Sequence, residues 1–180
     1  MRIFGLMNIL LFGKKVTEKK TDFFPMEKDE IFEEIGKEIK EIIGNLYGGR
    51  SLRIRAVDAG STNAEEIELT ALNNAYYDID RFGLSFVASP RHADMLFVTG
   101  PVTRNLEKAL LTTYEAAPHP CIVVAVGDGA CNGGMWKDSY AVVGSVDKVI
   151  PVHVRILGDP PNPTEILKGI LQALKSSKMK

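Results

Sequence analysis

Cysteine is scarce in this sequence, with Cys121 and Cys131 the only two in 180 residues. Two thiols exclude a disulfide framework of the secreted kind and fit a reducing compartment. They also fall short of the four thiolates that hold a cubane iron–sulfur cluster. Neither a zinc-type Cys/His spacing nor a C-x-x-C pair is present, and His92, His119 and His153 lie far apart without ligand-like company. An excess of charge of one sign is lacking too. The 22 Lys and Arg against 23 Asp and Glu leave a formal net charge of −1, so no global positive field argues for nucleic acid. The lysines gather only locally, at Lys14, Lys15, Lys19 and Lys20 and at Lys175, Lys178 and Lys180, as solvated basic tails do. No apolar run reaches the roughly 20 residues needed to span a bilayer. The glycine-rich stretch Gly127–Gly134 lacks both Gly-x-Gly-x-x-Gly and the lysine of a phosphate loop, which sets flavin or nucleotide binding low. Asp58, Ser61 and Thr103 have no base-like neighbour in sequence, so no nucleophile-and-base pair is visible.

What is present has the size of one domain with a substantial core and, with 45% hydrophobic and 25% charged residues, the ordinary composition of a soluble globular protein. Residues 1–25 form an arm whose start, Met1–Gly13, is apolar. Only Arg2 precedes its apolar run and no small-residue cleavage site follows, so a signal peptide is not indicated. Two readings of the arm stay open: contact with a membrane or partner, or folding back on its own domain. Residues 26–49 carry Ile31, Phe32, Ile35, Ile39, Ile42, Ile43 and Leu46 at three- and four-residue spacing, the pattern of an amphipathic helix stopped by Gly48-Gly49. The unit over 50–176 alternates periods. Strands are expected at Leu52–Val57, Phe86–Ala88, Met95–Thr99, Ile122–Val126 and within an extended Val149–Ile156. Helices are expected within Asn63–Asn74 and at Leu106–Ala117 and Glu165–Leu174, and Gly127 to about Val146 reads as irregular. Two of the strands are unbroken apolar runs, as buried parallel strands are. The pattern predicts an α/β fold with a mainly parallel sheet and helices on both faces. The loops Asp58–Glu66, Thr99–Thr103, Gly127–Gly134 and Gly158–Pro163 all follow strands, and strand carboxyl ends form the crevice of such sheets.

Those loops carry a family likeness. Asp58-Ala59-Gly60-Ser61, Glu66-Ile67-Glu68, Ser89-Pro90-Arg91-His92-Ala93-Asp94, Val98-Thr99-Gly100-Pro101-Val102-Thr103, Ala125-Val126-Gly127-Asp128, Val146–Val152 and Pro160-Pro161-Asn162-Pro163 occur in order between about Arg50 and Leu174. Together they resemble the small-subunit family of membrane-bound [NiFe] hydrogenases, which includes the cluster-bearing 20-kDa subunit of complex I. The Val98–Thr103 wording and His92 after Pro90-Arg91 lean toward the hydrogenase branch. The resemblance implies a flavodoxin-like fold and one [4Fe–4S] cluster beside a catalytic large subunit, the last stop for electrons before the nickel–iron centre or quinone. It implies Cys-x-x-Cys-Glu after Gly-Ser in the first loop, a Gly-x-Cys turn for the third ligand and Gly-Cys-Pro-Pro for the fourth.

At those four positions this chain has Thr62, Glu65, Gly129 and Asp159. No thiolate remains, so no cofactor is expected and the [4Fe–4S] cluster is expected to be absent. Cys131, two residues past the third position, is a single thiolate and would not retain a cubane. Cys121 reads as a small buried hydrophobe. Glu65, Asp159 and Asp128 are hard oxygen donors, and two readings apply: a divalent-ion site, or loop carboxylates that are solvated or paired with an arginine of a partner. The resemblance implies partners in a large-subunit homologue, a ferredoxin-like cluster subunit and membrane-arm subunits at the cytoplasmic face of the cell membrane. Glu66, Arg91, His92, Asp94, Pro160 and Pro161 are then the expected interface, and no catalytic residue is expected. The alternatives are a redox-active complex with a rerouted electron path, and a free-standing flavodoxin-like module holding flavin or nucleotide.

Overall fold

The computed structural model describes residues 29–177, and Asp29 opens the first helix among them. The arm expected over 1–25 and Lys178 and Lys180 lie outside the described residues. The Asp29 carboxylate accepts from the backbone N–H of Ile31 and Phe32 at 3.1 and 3.2 Å, satisfying two donors that a helix start leaves free. Helix α1 then runs Glu30–Tyr47 and ends on Gly48, whose φ of 60° a side chain would resist. Its buried face is Phe32, Gly36, Ile39, Ile42 and Ile43. Gly36 is required there, because a Cβ would lie 2.3 Å from the Phe82 ring.

Seven strands follow: β1 Leu52–Asp58, β2 Leu84–Phe86, β3 Met95–Thr99, β4 Val102–Thr103, β5 Ile122–Val126, β6 Val142–Gly144 and β7 Val154–Ile156. The further helices are α2 Ala64–Ala71, α3 Arg104–Ala116, α4 Asp128–Asn132 and α5 Pro163–Ser177. Five strands form one parallel sheet in the order β2-β1-β3-β5-β7, and β4 pairs antiparallel with β6 beside it. This is the doubly wound order of flavodoxin-like folds.

Alternation along the strands divides the interior in two. Met95 and Phe97 of β3 pack with Phe32, Ile39, Ile166 and Ile170 on the face covered by α1 and α5. Leu96 and Val98 join Leu110, Ala130 and Val146 on the face covered by α3 and α4. Both faces are therefore apolar, which is why β3 and β5 read as unbroken hydrophobic runs. The helix over 26–49 shares the first of these cores, and Thr164 of α5 donates to its capping Asp29 at 3.0 Å.

Three expectations need correction. The second strand is Leu84–Phe86 rather than Phe86–Ala88, because Gly83 turns the chain at φ 81° and β2 begins at once; Val87 adds one bond to Ile54 O at 2.8 Å. The extended Val149–Ile156 contracts to Val154–Ile156, since a 3-10 turn at Val146–Lys148 and Pro151, which has no N–H to donate, keep the chain out of the ladder. The irregular stretch from Gly127 contains α4 and β6, whose pairing with β4 is not local in sequence.

Candidate functional site

Four loops meet at the carboxyl ends of the strands. Ala59 N–H donates to Thr99 O at 3.0 Å, and Thr103 N–H donates to Ala59 O at 2.8 Å. Gly127 N–H and Asp128 N–H donate to Ile156 O and Gly158 O, each at 2.8 Å, and Asp128 Oδ1 accepts from Gly158 N–H at 2.9 Å. Bare backbone makes the remaining contacts. A Cβ on Gly129 would lie 2.7 Å from Pro101 Cδ and 3.0 Å from Pro101 N, and one on Gly127 would lie 2.4 Å from Glu65 Oε1.

Carboxylates dominate this crevice. Asp58 Oδ1 accepts from the N–H of Gly60 and Ser61 at 2.7 and 2.8 Å, so the turn after β1 is closed by its own side chain. Glu66, in the first turn of α2, accepts from the hydroxyls of Ser61 and Thr99. Beside it Glu65 turns inward, is only 3% exposed, and its Oε2 has no hydrogen-bond partner. Burial pushes the Glu65 carboxyl above the ordinary glutamate range; a hydrogen bond from its own backbone N–H opposes this, and the charges of Glu66, Asp159 and Asp58 add to the upward push. Asp159 is exposed and lines a cavity of about 460 Å³ with Asp128, Asn132, Gly134, Met135 and Lys137.

An iron–sulfur cube does not fit these residues. Thr62 is exposed, Glu65 is folded against Gly127, Gly129 has Pro101 where a side chain would start, and Asp159 stands at the rim. The donor chemistry is a hydroxyl, two carboxylates and no side chain, none of it matched to cluster iron. Cys131 is no substitute: its S–H points to the carbonyls of Ala125 and Ile156 at 3.5 and 3.4 Å, and burial pushes the thiol up to about 11. Cys121 immediately precedes β5, at the opposite end of that strand from the crevice, and burial pushes it up to about 11 as well.

Of the three donors in the divalent-ion reading, Asp128 already accepts from Gly158 N–H, Glu65 is folded against Gly127, and Asp159 stands exposed at the cavity rim. Phosphate binding after β1 is opposed by Asp58, which takes the Gly60 and Ser61 N–H groups that a phosphate would need. His153 Nδ1 accepts from Val123 N–H at 3.0 Å, and the His119 ring packs on Tyr114 at 4.9 Å.

The expected interface residues separate by environment. Arg91, His92 and Pro160 are exposed, Glu66 is half-buried, and Pro161 is buried, its Cα 2.7 Å from where a Gly158 Cβ would stand. Asp94 is occupied within the chain: it takes the Arg50 guanidinium in a fork at 2.8 and 2.7 Å and the N–H of Arg53 at 3.0 Å. Burial raises its pKa, but these bonds from Arg50 and Arg53 outweigh that and hold the carboxyl below the usual aspartate range. Sequence reasoning missed this fork, for 44 residues separate its partners. It also missed the exposed Met135, Trp136, Tyr140 and Leu157 on the loops after β5 and β7, of which Met135 lines the cavity, although apolar residues in a glycine-rich loop were a usable signal.

The model of the family described as NADH ubiquinone oxidoreductase, 20 Kd subunit, matches residues 63–173. An uncharacterized protein of Methanocaldococcus jannaschii is 46% identical over 127 residues, covering 71% of this chain and 85% of that protein. The probable membrane-bound hydrogenase subunit mbhJ of Pyrococcus furiosus is 42% identical over 141 residues, 77% of this chain and 84% of that one. Formate hydrogenlyase subunit 7 of Escherichia coli is 42% identical over 125 residues, and the match spans 69% of this chain but 49% of that subunit. Among solved structures, a chain of the membrane-bound sulfane sulfur reductase, an archaeal respiratory membrane complex, superposes with a TM-score of 0.64 at 35% identity, covering 78% of this chain and 79% of that one.

Proposed function

The chain belongs to the family of the 20-kDa subunit of NADH–ubiquinone oxidoreductase, and from that premise we propose that it is a small subunit that binds no cluster. Its place is in a membrane-bound hydrogenase- or complex I-like assembly, where it bridges a large-subunit homologue and the membrane arm. The observation that carries this reading is the contrast within one crevice. The loops around the four ligand positions keep the family wording and meet through backbone hydrogen bonds. The positions themselves are Thr62, Glu65, Gly129 and Asp159, with Glu65 and Pro101 packed against the glycines between them. A surface presented to a partner accounts for the family likeness of these loops without a redox centre. Relatives named as subunits of a membrane-bound hydrogenase and of a formate hydrogenlyase support the setting. No helix among the described residues is long and apolar enough to cross a membrane, as befits a peripheral subunit.

Tagged chain recovered from its native membranes tests this. The expected result is co-purification with a large-subunit homologue and membrane subunits, while the chain purified anaerobically by itself contains neither stoichiometric iron nor acid-labile sulfide. A cluster bound to the isolated chain would overturn the reading, and so would recovery of the chain alone from the membrane extract.

A further inference from the structure

One face of the sheet is covered only in part by the chain itself. Strands β1 and β2 run parallel, with Arg53 beside Ser85 and Ile54 beside Phe86. Alternation sends Leu52, Ile54 and Leu84 into the first core. Arg53 and Arg55 therefore project to the opposite face, where Arg55 stands beside Leu96 of β3. Leu96 belongs to the second core, which Leu110 of α3 and Ala130 of α4 help to close. Helix α4 packs on β3, β5 and β7, and α3 packs on the β4–β6 pair and the turn at Pro90–His92. The cover thins over β1 and β2, where Arg53 is exposed and Arg55, Val57, Ser85 and Val87 are half-buried. Parallel strands almost always carry packed structure on both faces, which makes this ledge unusual.

The charge of the ledge is unanswered as well. Arg55 Nε is buried with no hydrogen-bond partner. Neither Arg53 nor Arg55 enters the ion pairs of the described residues, which lie at Arg50–Asp94, Arg81–Glu33, Arg155–Asp147 and Lys175–Glu38. The charge of Arg53 reaches the Asp94 carboxyl. The two oxygens of Asp94, however, are taken by the Arg50 guanidinium and by the backbone N–H of Arg53. A buried donor without an acceptor is costly, and an acceptor brought from outside the chain would remove that cost. The ledge is thus cationic, and it is flanked by the half-buried Val57 and Val87 that pack at the margin of the second core. Such a surface selects a partner of opposite charge.

We propose that an acidic amphipathic helix of another polypeptide lies across β1 and β2 on this face, its carboxylates on Arg53 and Arg55 and its apolar side chains on Val57 and Val87. This rests on the functional reading above in supposing an assembly, and it adds a contact on the face of the sheet, apart from the strand-end loops. Helices are the elements that cover parallel sheets. The two arginines stand about 7 Å apart along β1. Carboxylates four residues apart on a helix are separated by about 6 Å, so one acidic helix face can meet both. Each guanidinium presents a planar fork of donors to a carboxylate, which suits the pairing. A lipid phosphate would answer the charge but leave Val57 and Val87 without cover.

The test uses tagged full-length chain carrying Arg55→Lys, recovered from native membranes with whatever it binds. A water-soluble carbodiimide, which joins amines to carboxylates in contact, is added, and mass spectrometry reads the joined peptides. The expected result is a join from the introduced lysine to an Asp or Glu of another polypeptide, in a segment with a second acid three or four residues away. Arg53→Glu combined with Arg55→Glu should lower recovery of that polypeptide at least tenfold at moderate salt. Arg53→Lys combined with Arg55→Lys should largely retain it, and Lys168→Glu, on α5 across the sheet, should leave it unchanged. Thermal midpoints of the purified variants are read alongside, and the carbodiimide join decides should the double reversal fail to fold. A join confined to this chain, whether to its own residues or to those of a second copy, would overturn the proposal, and so would the absence of any join. Binding to vesicles containing phosphatidylglycerol that the double reversal abolishes, with no polypeptide joined, would overturn it in favour of a lipid phosphate. These outcomes leave the functional reading standing when the wild-type complex is recovered intact. Wild-type chain recovered alone would overturn both.

Discussion

Replacing Glu65 by methionine should stabilise the isolated chain. The Glu65 carboxyl is 3% exposed, its Oε2 has no donor, and three further carboxylates, Glu66, Asp159 and Asp58, act on it. A buried polar group left without a partner costs about 1–3 kcal/mol, and a charged one costs more. Methionine has nearly the same length, is unbranched and adapts to irregular space, so it can lie along Gly127 without the orphaned oxygen. A gain of about 1–3 kcal/mol corresponds to a rise in midpoint of about 2–12 °C for a chain of this size. The pH dependence carries a sign of its own. Because the folded-state carboxyl titrates above its ordinary 4.5, wild type has its full contribution from this proton below that value and loses it as pH rises through the raised one. The difference between Glu65→Met and wild type should therefore be smallest near pH 4 and widen toward neutrality. Denaturant or thermal melts of the two proteins across that range measure it. A variant less stable than wild type at neutral pH, or a difference that shrinks as pH rises, would refute the assignment of Glu65 as a buried acid with one oxygen lacking a donor.

Other consequences follow from the same geometry. Gly129→Cys, which puts a thiol at one of the positions the resemblance implies for a ligand, should lose about 1–3 kcal/mol because its Cβ would stand 2.7 Å from Pro101 Cδ, and urea melts would show it. Asp94→Ala should cost about 1–2 kcal/mol, discounted because the Arg50 side chain is 48% exposed. Asp94 titrates below its ordinary 3.8, so its contribution is present above that value and is lost as pH falls through the lowered one; the cost should be flat near neutrality and vanish in strong acid. Both thiols, pushed up to about 11, should resist iodoacetamide in the native chain near pH 8 and react once it is unfolded, as mass spectrometry would report.

How far the sequence could be read follows from how local each cause is. The buried strands were legible because Met95–Thr99 and Ile122–Val126 face apolar cores on both sides, and no polar alternation interrupts them. Helix α1 was legible from its spacing, although its start moved to Asp29, the residue whose side chain caps it. That no thiol stands at 62, 65, 129 or 159 was visible as plain residue identity. What the loops do without them was not, because it depends on contacts between segments far apart in the chain. Glu65 reads as one acid in the run Glu65-Glu66-Ile67-Glu68, yet it alone turns inward, while Glu66 one position on is held by Ser61 and Thr99. Gly129 reads as a small residue in a flexible stretch, yet Pro101 stands against it. These packing facts give a second reason, independent of donor chemistry, why one engineered thiol would not restore a ligand. Four thiols would have to displace the Glu65 side chain from Gly127 and part Gly129 from Pro101 before iron could enter. The packing of the loops thus opposes a cluster as the donor types at 62, 65, 129 and 159 do.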